Sequence, residues 1–260
     1  DLAGRVPLVP NSCNDRSVWF RRQLSRWFSR HQRALPWRET QDPYLIWISE
    51  IMLQQTQVAT VIKYYERFSA RFPDVQSLAS ASQQEVLEHW AGLGYYRRAR
   101  NMHLAAQQIV ENFSGVFPSQ LSELQKLAGV GRYTAGAIAS LAYDQPAPIL
   151  ETNTVRLLSR LIGLTDPVHS SSSQKLLWEA AQSVLPKSSG SGKVNQALME
   201  LGSLICTPSQ PRCNQYPLRT QCVAFQQGLE QRIPILKARA STQPRTHVGL
   251  LIMDGRRRML

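Results

Sequence analysis

The chain has 260 residues, 43% of them hydrophobic, enough to bury one large core or two smaller ones. Its formal net charge is +12 and 24 of its 30 cationic residues are arginine, which points to an anionic partner and bidentate phosphate contacts. Four cysteines in so long a chain exclude a secreted disulfide scaffold; no apolar run nears the roughly 20 residues that span a bilayer, and the N-terminus lacks an apolar signal core, so the sequence reads as soluble, intracellular and without a membrane partner.

Residues 1–16 read as a flexible tail. From Ser17 to about His31, Trp19, Phe20, Leu24, Trp27 and Phe28 recur at helical spacing with arginines between them. Asp42-Pro43 then opens a long helical run, "PYLIWISEIMLQQTQVATVIKYYERF", with Pro43 suited to a first turn. Further helices follow, punctuated at Phe72-Pro73, Gly92 to Gly94, Gly115 to Pro118, Gly129 to Gly131 and Gln145 to Pro148. Helical periodicity dominates through Gln227 and no βαβ rhythm appears, so the fold class is all-α. "PKSSGSGK", residues 186–193, reads as a flexible loop. After a linker at 229–245, "THVGLLIMDGRRRML" alternates Val248, Leu250 and Ile252 and turns at Asp254-Gly255, a hairpin signal. A lone hairpin is unstable in water, so 246–260 reads as the first hairpin of a further, truncated domain.

Four stretches carry candidate chemistry. In "LAGVGRYTAGAIASLA", residues 127–142, Gly129 and Gly131 permit a tight turn between two helices. The N–H groups of Gly131, Arg132 and Tyr133 would then open a helix N-terminus that suits a phosphate, as in a helix-hairpin-helix. Glu50 stands in "WISEIMLQQTQV", where Trp47, Ile51, Val58 and Ile62 form an apolar stripe and Glu50, Gln54 and Gln57 a second row. Desolvation there raises a carboxyl pKa and suits a general acid; a paired surface glutamate fits the spacing too. "GLGYYRRAR", residues 92–100, sets two tyrosines beside three arginines, suited to stacking on nucleic acid or to a packed pair under a solvated face. "PILETNTVRLLSR" places Glu151 at a helix start that Thr152, Asn153 or Thr154 would cap. Finally, Cys206, Cys213 and Cys222 fall in "CTPSQPRCNQYPLRTQC", with Tyr216 between the last two.

Taken together, "LPWRETQDPYLIWISEIMLQQTQVATVI", "GLGYYRRARN", "LAGVGRYTAGAI" and "ELGSLICTPSQPRC" resemble the MutY-type adenine DNA glycosylases of the endonuclease III superfamily, in order, from Ser17 to Gln227. The resemblance implies a two-lobed helix-hairpin-helix glycosylase fold: a six-helix barrel over 38–146, and an iron–sulfur-type lobe of 17–37 plus 147–228. It implies that 246–260 begins a Nudix-like α+β domain, that the partner is double-stranded DNA with an A·8-oxoguanine mispair, and that the protein is a monomer. It makes Glu50 the acid that protonates the extruded adenine and gives Glu151 the place of the carboxylate that stabilises the sugar cation. Tyr133 stands where lyase relatives carry a Schiff-base lysine, and Asn153 would order the catalytic water or carboxylate. Gln55, Leu93 and Tyr95 would wedge around the lesion pair, while Gly129, Gly131, Arg132 and Arg212 would hold phosphates. A [4Fe–4S] cluster would use Cys206, Cys213 and Cys222, but its C-x6-C-x2-C-x5-C pattern has Tyr216 at the third place; Cys13 lies in the tail.

A second departure from the family, besides Tyr216, shapes the expectation. Glu151-Thr152 stands where the family has aspartate-glycine, and the extra methylene moves a carboxylate by about 1.5 Å on a fixed backbone. A shift of about 1 Å can cost on the order of a hundredfold in rate, so a binding-only paralogue is the alternative reading. An endonuclease III-like glycosylase/lyase is disfavoured by the phenol at Tyr133.

Overall fold

The computed structural model describes residues 14–236, so the expected hairpin at 246–260 and Cys13 lie outside the described residues. The first helix, α1 (Asn14–His31), starts three residues inside the stretch expected as a tail. A short 3-10 turn, Pro36–Arg38, leads to α2 (Pro43–Leu53), α3 (Val58–Arg71), α4 (Val75–Ser80), α5 (Gln83–Trp90) and α6 (Arg97–Phe113). These continue into α7 (Leu121–Leu124), α8 (Arg132–Leu141), α9 (Thr152–Ile162), α10 (Ser171–Ser183), α11 (Ser191–Leu204) and α12 (Val223–Gln226). Helix starts follow their capping chemistry. Asp42 accepts from the Tyr44 N–H, Asp74 and Ser77 form a reciprocal capping box, and Ser82 and Ser170 each accept from the third helical residue.

Two hydrophobic clusters divide the helices. One gathers Trp47, Met52, Phe68, Trp90, Ile109 and Ile138 from α2 through α8; the other gathers Leu24, Phe28, Leu157, Leu177, Leu198 and Leu201 from α1 and α9–α12. The clusters meet along α8 and α11. There Gly192 brings its backbone so close to the Ser140 carbonyl that an added Cβ would lie 2.5 Å from that oxygen. Buried Asn195 donates across the same seam to Ser140 Oγ and the Ala147 carbonyl, both at 2.8 Å. The Asp144 carboxylate crosses it too, accepting from the N–H groups of Gly190 and Gly192 at the start of α11.

Three expectations need correction. The run from Pro43 to Phe68 is two helices: α2 stops at Leu53, Gln55 adopts φ 58°, and α3 starts at Val58, so Glu50 and Gln57 do not share a helix row. In the 127–131 turn only Gly129, at φ 74°, needs glycine's left-handed freedom; Gly131 is extended at φ −85°. Residues 229–236, expected as linker, are pinned to the second lobe: Ile233 is buried in its core, and Ile235 pairs with Pro167 in an isolated parallel bridge.

Candidate active site

A cleft of about 1200 Å³ runs between the two clusters. From the barrel side it is lined by Glu50, Gln54 and Gln55 around the end of α2, by Tyr95, and by Gly129, Gly131, Arg132 and Tyr133 at the start of α8. From the other side come Glu151 and Asn153 at the start of α9, and Glu200 and Ser203 on α11.

Glu50 sits three residues before the end of α2, where the apolar faces of that helix bury it to 3% exposure. Burial pushes its carboxyl up, against the hydrogen bond from Tyr133 that lowers it; the nearby Glu151 charge raises it and Arg38 lowers it. The balance lies at about 7. The Tyr133 hydroxyl donates to Glu50 Oε2 at 2.5 Å. Burial and the Glu50 charge hold that phenol well above its ordinary pKa, so it keeps its proton and remains a donor.

Glu151 itself caps α9, a role expected of Thr152, Asn153 or Thr154. Its Oε1 accepts from the Thr154 N–H at 2.9 Å; its Oε2 accepts from the Asn153 N–H at 2.8 Å and from Asn153 Nδ2 at 3.2 Å. Thr154 Oγ1 returns the bond by accepting from the Glu151 N–H, a capping box with its usual residue types exchanged. Burial raises the Glu151 pKa despite these donors. Thr152 is the first residue of α9, so its β-branched side chain meets no left-handed turn.

An ion cluster that sequence reasoning missed closes the far wall. Glu200, 1% exposed, accepts from the Arg33 N–H, from Arg33 Nε and Nη2, and from Arg38 Nη1 and Nη2, at 2.6–3.1 Å. Burial alone would raise this carboxyl, but the two arginines outweigh it and hold it at about 2. The partners lie 162–167 residues apart in sequence, beyond local pattern. The available signal was a lone acid in the apolar run "ALMELGSL".

The remaining expected residues are dispersed. Gln55 and Tyr95 are exposed on the cleft rim, whereas Leu93, at 6% exposure, is packed in the barrel core. Arg132 lies over the Trp178 ring at 3.8 Å, tying the start of α8 to α10. Arg212 is exposed in the cysteine loop.

Charges on Cys206, Cys222 and Cys213 all act on the Tyr216 phenol, so the four side chains gather in one place. Cys206, Tyr216 and Cys222 are packed in the hydrophobic cluster, and Tyr216 Oη is buried without a hydrogen-bond partner. Among the described residues, no group of three or more His, Cys, Asp or Glu is placed to hold a metal ion. Three thiols and a phenol do not fit a four-thiolate cluster. The loop is instead fixed by arginines of α9: Arg156 bonds the carbonyls of Gly202 and Cys206, and Arg160 those of Thr207, Pro208 and Ile233.

Two helical lobes and a helix–turn–helix whose turn ends at Gly131 define the helix-hairpin-helix class of fold, and a buried carboxyl faces a second across its cleft. A solved thymine-DNA glycosylase, described as thermostable, superposes with a TM-score of 0.73 at 27% identity, covering 81% of this chain and 97% of its own. An endonuclease III bound non-covalently to DNA shares the fold at 0.67 and 22% identity, over 82% and 98% of the two chains. The chain belongs to the family described as HhH-GPD superfamily base excision DNA repair protein, whose pattern matches residues 48–183. It is similar to the adenine DNA glycosylase of Rattus norvegicus, 44% identical over 84% of this chain and 44% of the relative. The human adenine DNA glycosylase is 43% identical over 82% and 41%, and that of Buchnera aphidicola (subsp. Schizaphis graminum) 41% over 84% and 63%. The chain thus spans about half the length of the relatives it matches. No helix among the described residues is long and apolar enough to cross a membrane.

Proposed function

We propose that the chain carries the catalytic part of an adenine DNA glycosylase, which hydrolyses the N-glycosidic bond of adenine mispaired with 8-oxoguanine in double-stranded DNA. The observation that carries the reading is the Glu50 carboxyl, buried in the cleft, bonded to Tyr133 and held at about 7. Such a group is partly protonated near neutral pH and still acidic enough to give its proton away. Adenine leaves poorly as an anion, so protonation at N7 is the step a general acid must supply. The Tyr133 hydroxyl occupies Oε2 and leaves Oε1 to carry the proton to the base.

As the bond breaks, positive charge grows on the sugar. Glu151, across the cleft, supplies the facing carboxylate, its position set by the cap on α9. The helix absorbs the extra methylene: the side chain folds back on its own N-terminus instead of reaching forward. Asn153 fixes Oε2 through its side chain and is itself held by Arg156 at 2.7 Å. Tyr133, a phenol with its proton retained, forms no Schiff base, so the reaction ends at base release. No step passes through Cys206, Cys213 or Cys222.

A second reading has one observation in its favour: both Glu151 oxygens are engaged by the helix cap, which suits a lesion-DNA binder that no longer turns over. Single-turnover assays on an A·8-oxoguanine duplex separate the two. Base release that is lost in Glu50→Gln supports the enzyme, whereas tight binding without release supports the binder.

A further inference from the structure

Arg98 lies in the first turn of α6, together with Arg97, at the helix end whose dipole disfavours cations. Its guanidinium leaves that end and reaches the opposite pole of α2. Nη1 donates to the carbonyls of Ile51, Met52 and Gln54 at 2.9, 3.0 and 2.5 Å, groups that a helix C-terminus leaves without partners. Nη2 donates to Thr56 Oγ1 at 3.2 Å and to the carbonyls of Leu93 and Gly94 at 3.3 Å. None of these six acceptors is an acid.

The two segments so joined are the turns between α2 and α3 and between α5 and α6. Each carries a non-glycine residue in the left-handed region, Gln55 at φ 58° and Tyr95 at φ 48°. Such backbone persists only where its surroundings hold it, and it concentrates at functional sites. Both residues line the cleft, Tyr95 is 62% exposed, and its ring lies 5.4 Å from the Arg98 guanidinium. One planar cation therefore holds two strained, exposed tips in a fixed relation, one turn of helix away from Glu50.

We propose that Arg98 is a positioning residue that locks these two turns into a single rigid rim, and that extrusion of the target base from the duplex depends on this lock. The inference rests on the DNA glycosylase reading. A rim that must part a stacked base pair has to resist the duplex, and two independent turns on strained backbone would yield. Lysine keeps the charge, but a point ammonium with three donors cannot span both turns as a planar fork does.

The test uses a duplex in which the target adenine is replaced by its fluorescent isomer 2-aminopurine, opposite 8-oxoguanine, so that unstacking is read as brightening. Wild-type protein is expected to brighten the probe. Arg98→Lys is expected to slow brightening about 100-fold, the scale of an ångström-sized misplacement, with affinity for undamaged duplex and its salt dependence within about twofold. Thr56→Val removes one Arg98 contact, together with the 3.4 Å bond from Thr56 Oγ1 to the Gln54 carbonyl, and is expected to slow it about threefold to tenfold. In Arg98→Ala, methylguanidinium in solution is expected to restore part of the signal, which a general loss of fold would not allow. Brightening at the wild-type rate in folded Arg98→Lys, or in Thr56→Val if the former does not fold, overturns the proposal. A wild-type protein that leaves the probe stacked instead overturns the glycosylase reading beneath it.

Discussion

Glu50 and Glu200 face the same cleft from opposite lobes and are buried almost equally, at 3% and 1% exposure, yet one is held at about 7 and the other at about 2. Burial pushes both upward; the partners decide. Glu50 receives one neutral hydroxyl, whereas Glu200 receives five donors from two guanidinium groups and a backbone N–H. The first arrangement destabilises a charge so that a proton can be moved, and the second fixes a charge so that two lobes and a chain entry stay joined. Arg38 belongs to both, bonding Glu200 and lowering the pKa of Glu50, so the structural wall also tunes the acid.

The most severe way to break this contrast is Glu50→Gln, which removes the acid while keeping shape and the Tyr133 contact. Base release in single turnover is expected to fall by about 10²–10⁴-fold. Stability moves the other way. Because the folded pKa lies above the unfolded value, Glu50 costs stability as pH rises from about 4.5 through 7, so the variant should be more stable than the parent at pH 8 by thermal unfolding and equal to it at low pH.

Glu151→Gln removes the charge and halves the cap, since one oxygen still accepts while an NH2 group faces the N–H donor that the other oxygen served. Release is expected to drop on the order of 100-fold, with a stability loss of about 1 kcal/mol from the lost capping bond. An unchanged rate would leave Glu151 as a helix cap and nothing more.

Glu200→Gln strips the arginines of their counter-ion and is expected to cost about 3–5 kcal/mol in denaturant unfolding near neutral pH. Here the folded pKa lies below the unfolded one, so the ionised pair's contribution is complete above about 4.5 and lost as pH falls toward 2. The penalty should shrink over that window.

A smaller effect sharpens the comparison from the other side. The Tyr133 hydrogen bond lowers the Glu50 pKa, so Tyr133→Phe should move the alkaline limb of the rate profile to higher pH, with the rate plateau falling less than in Glu50→Gln. The smallest concerns the cysteine loop: Tyr216→Cys supplies a fourth thiol and is expected to raise bound iron and visible absorption above those of the parent, with the stability of the barrel lobe unchanged.

How much of this was legible beforehand follows from the range of each interaction. Glu50, Tyr133 and Glu151 stand inside local motifs, and for Glu50 the apolar stripe around it already suggested burial. The break between α2 and α3 was hidden because "LQQTQV" contains neither glycine nor proline; the strain at Gln55 is paid for by Arg98, more than 40 residues away. The cap on α9 was misassigned because glutamate is a poor N-cap by propensity, and only burial in the cleft and the reciprocal Thr154 bond make it serve. The pairing of Arg33 and Arg38 with Glu200 was not legible for the same reason as that of Arg98 with its carbonyls: both arise only when distant segments meet.

The central claim is that one buried carboxyl, partly protonated at physiological pH, protonates the leaving base. Its most direct test is the single-turnover rate of adenine release from an A·8-oxoguanine duplex as a function of pH. A rate that falls as pH rises through about 7, with the fall abolished in Glu50→Gln, is the predicted result. A rate that stays level or climbs across that range would contradict it.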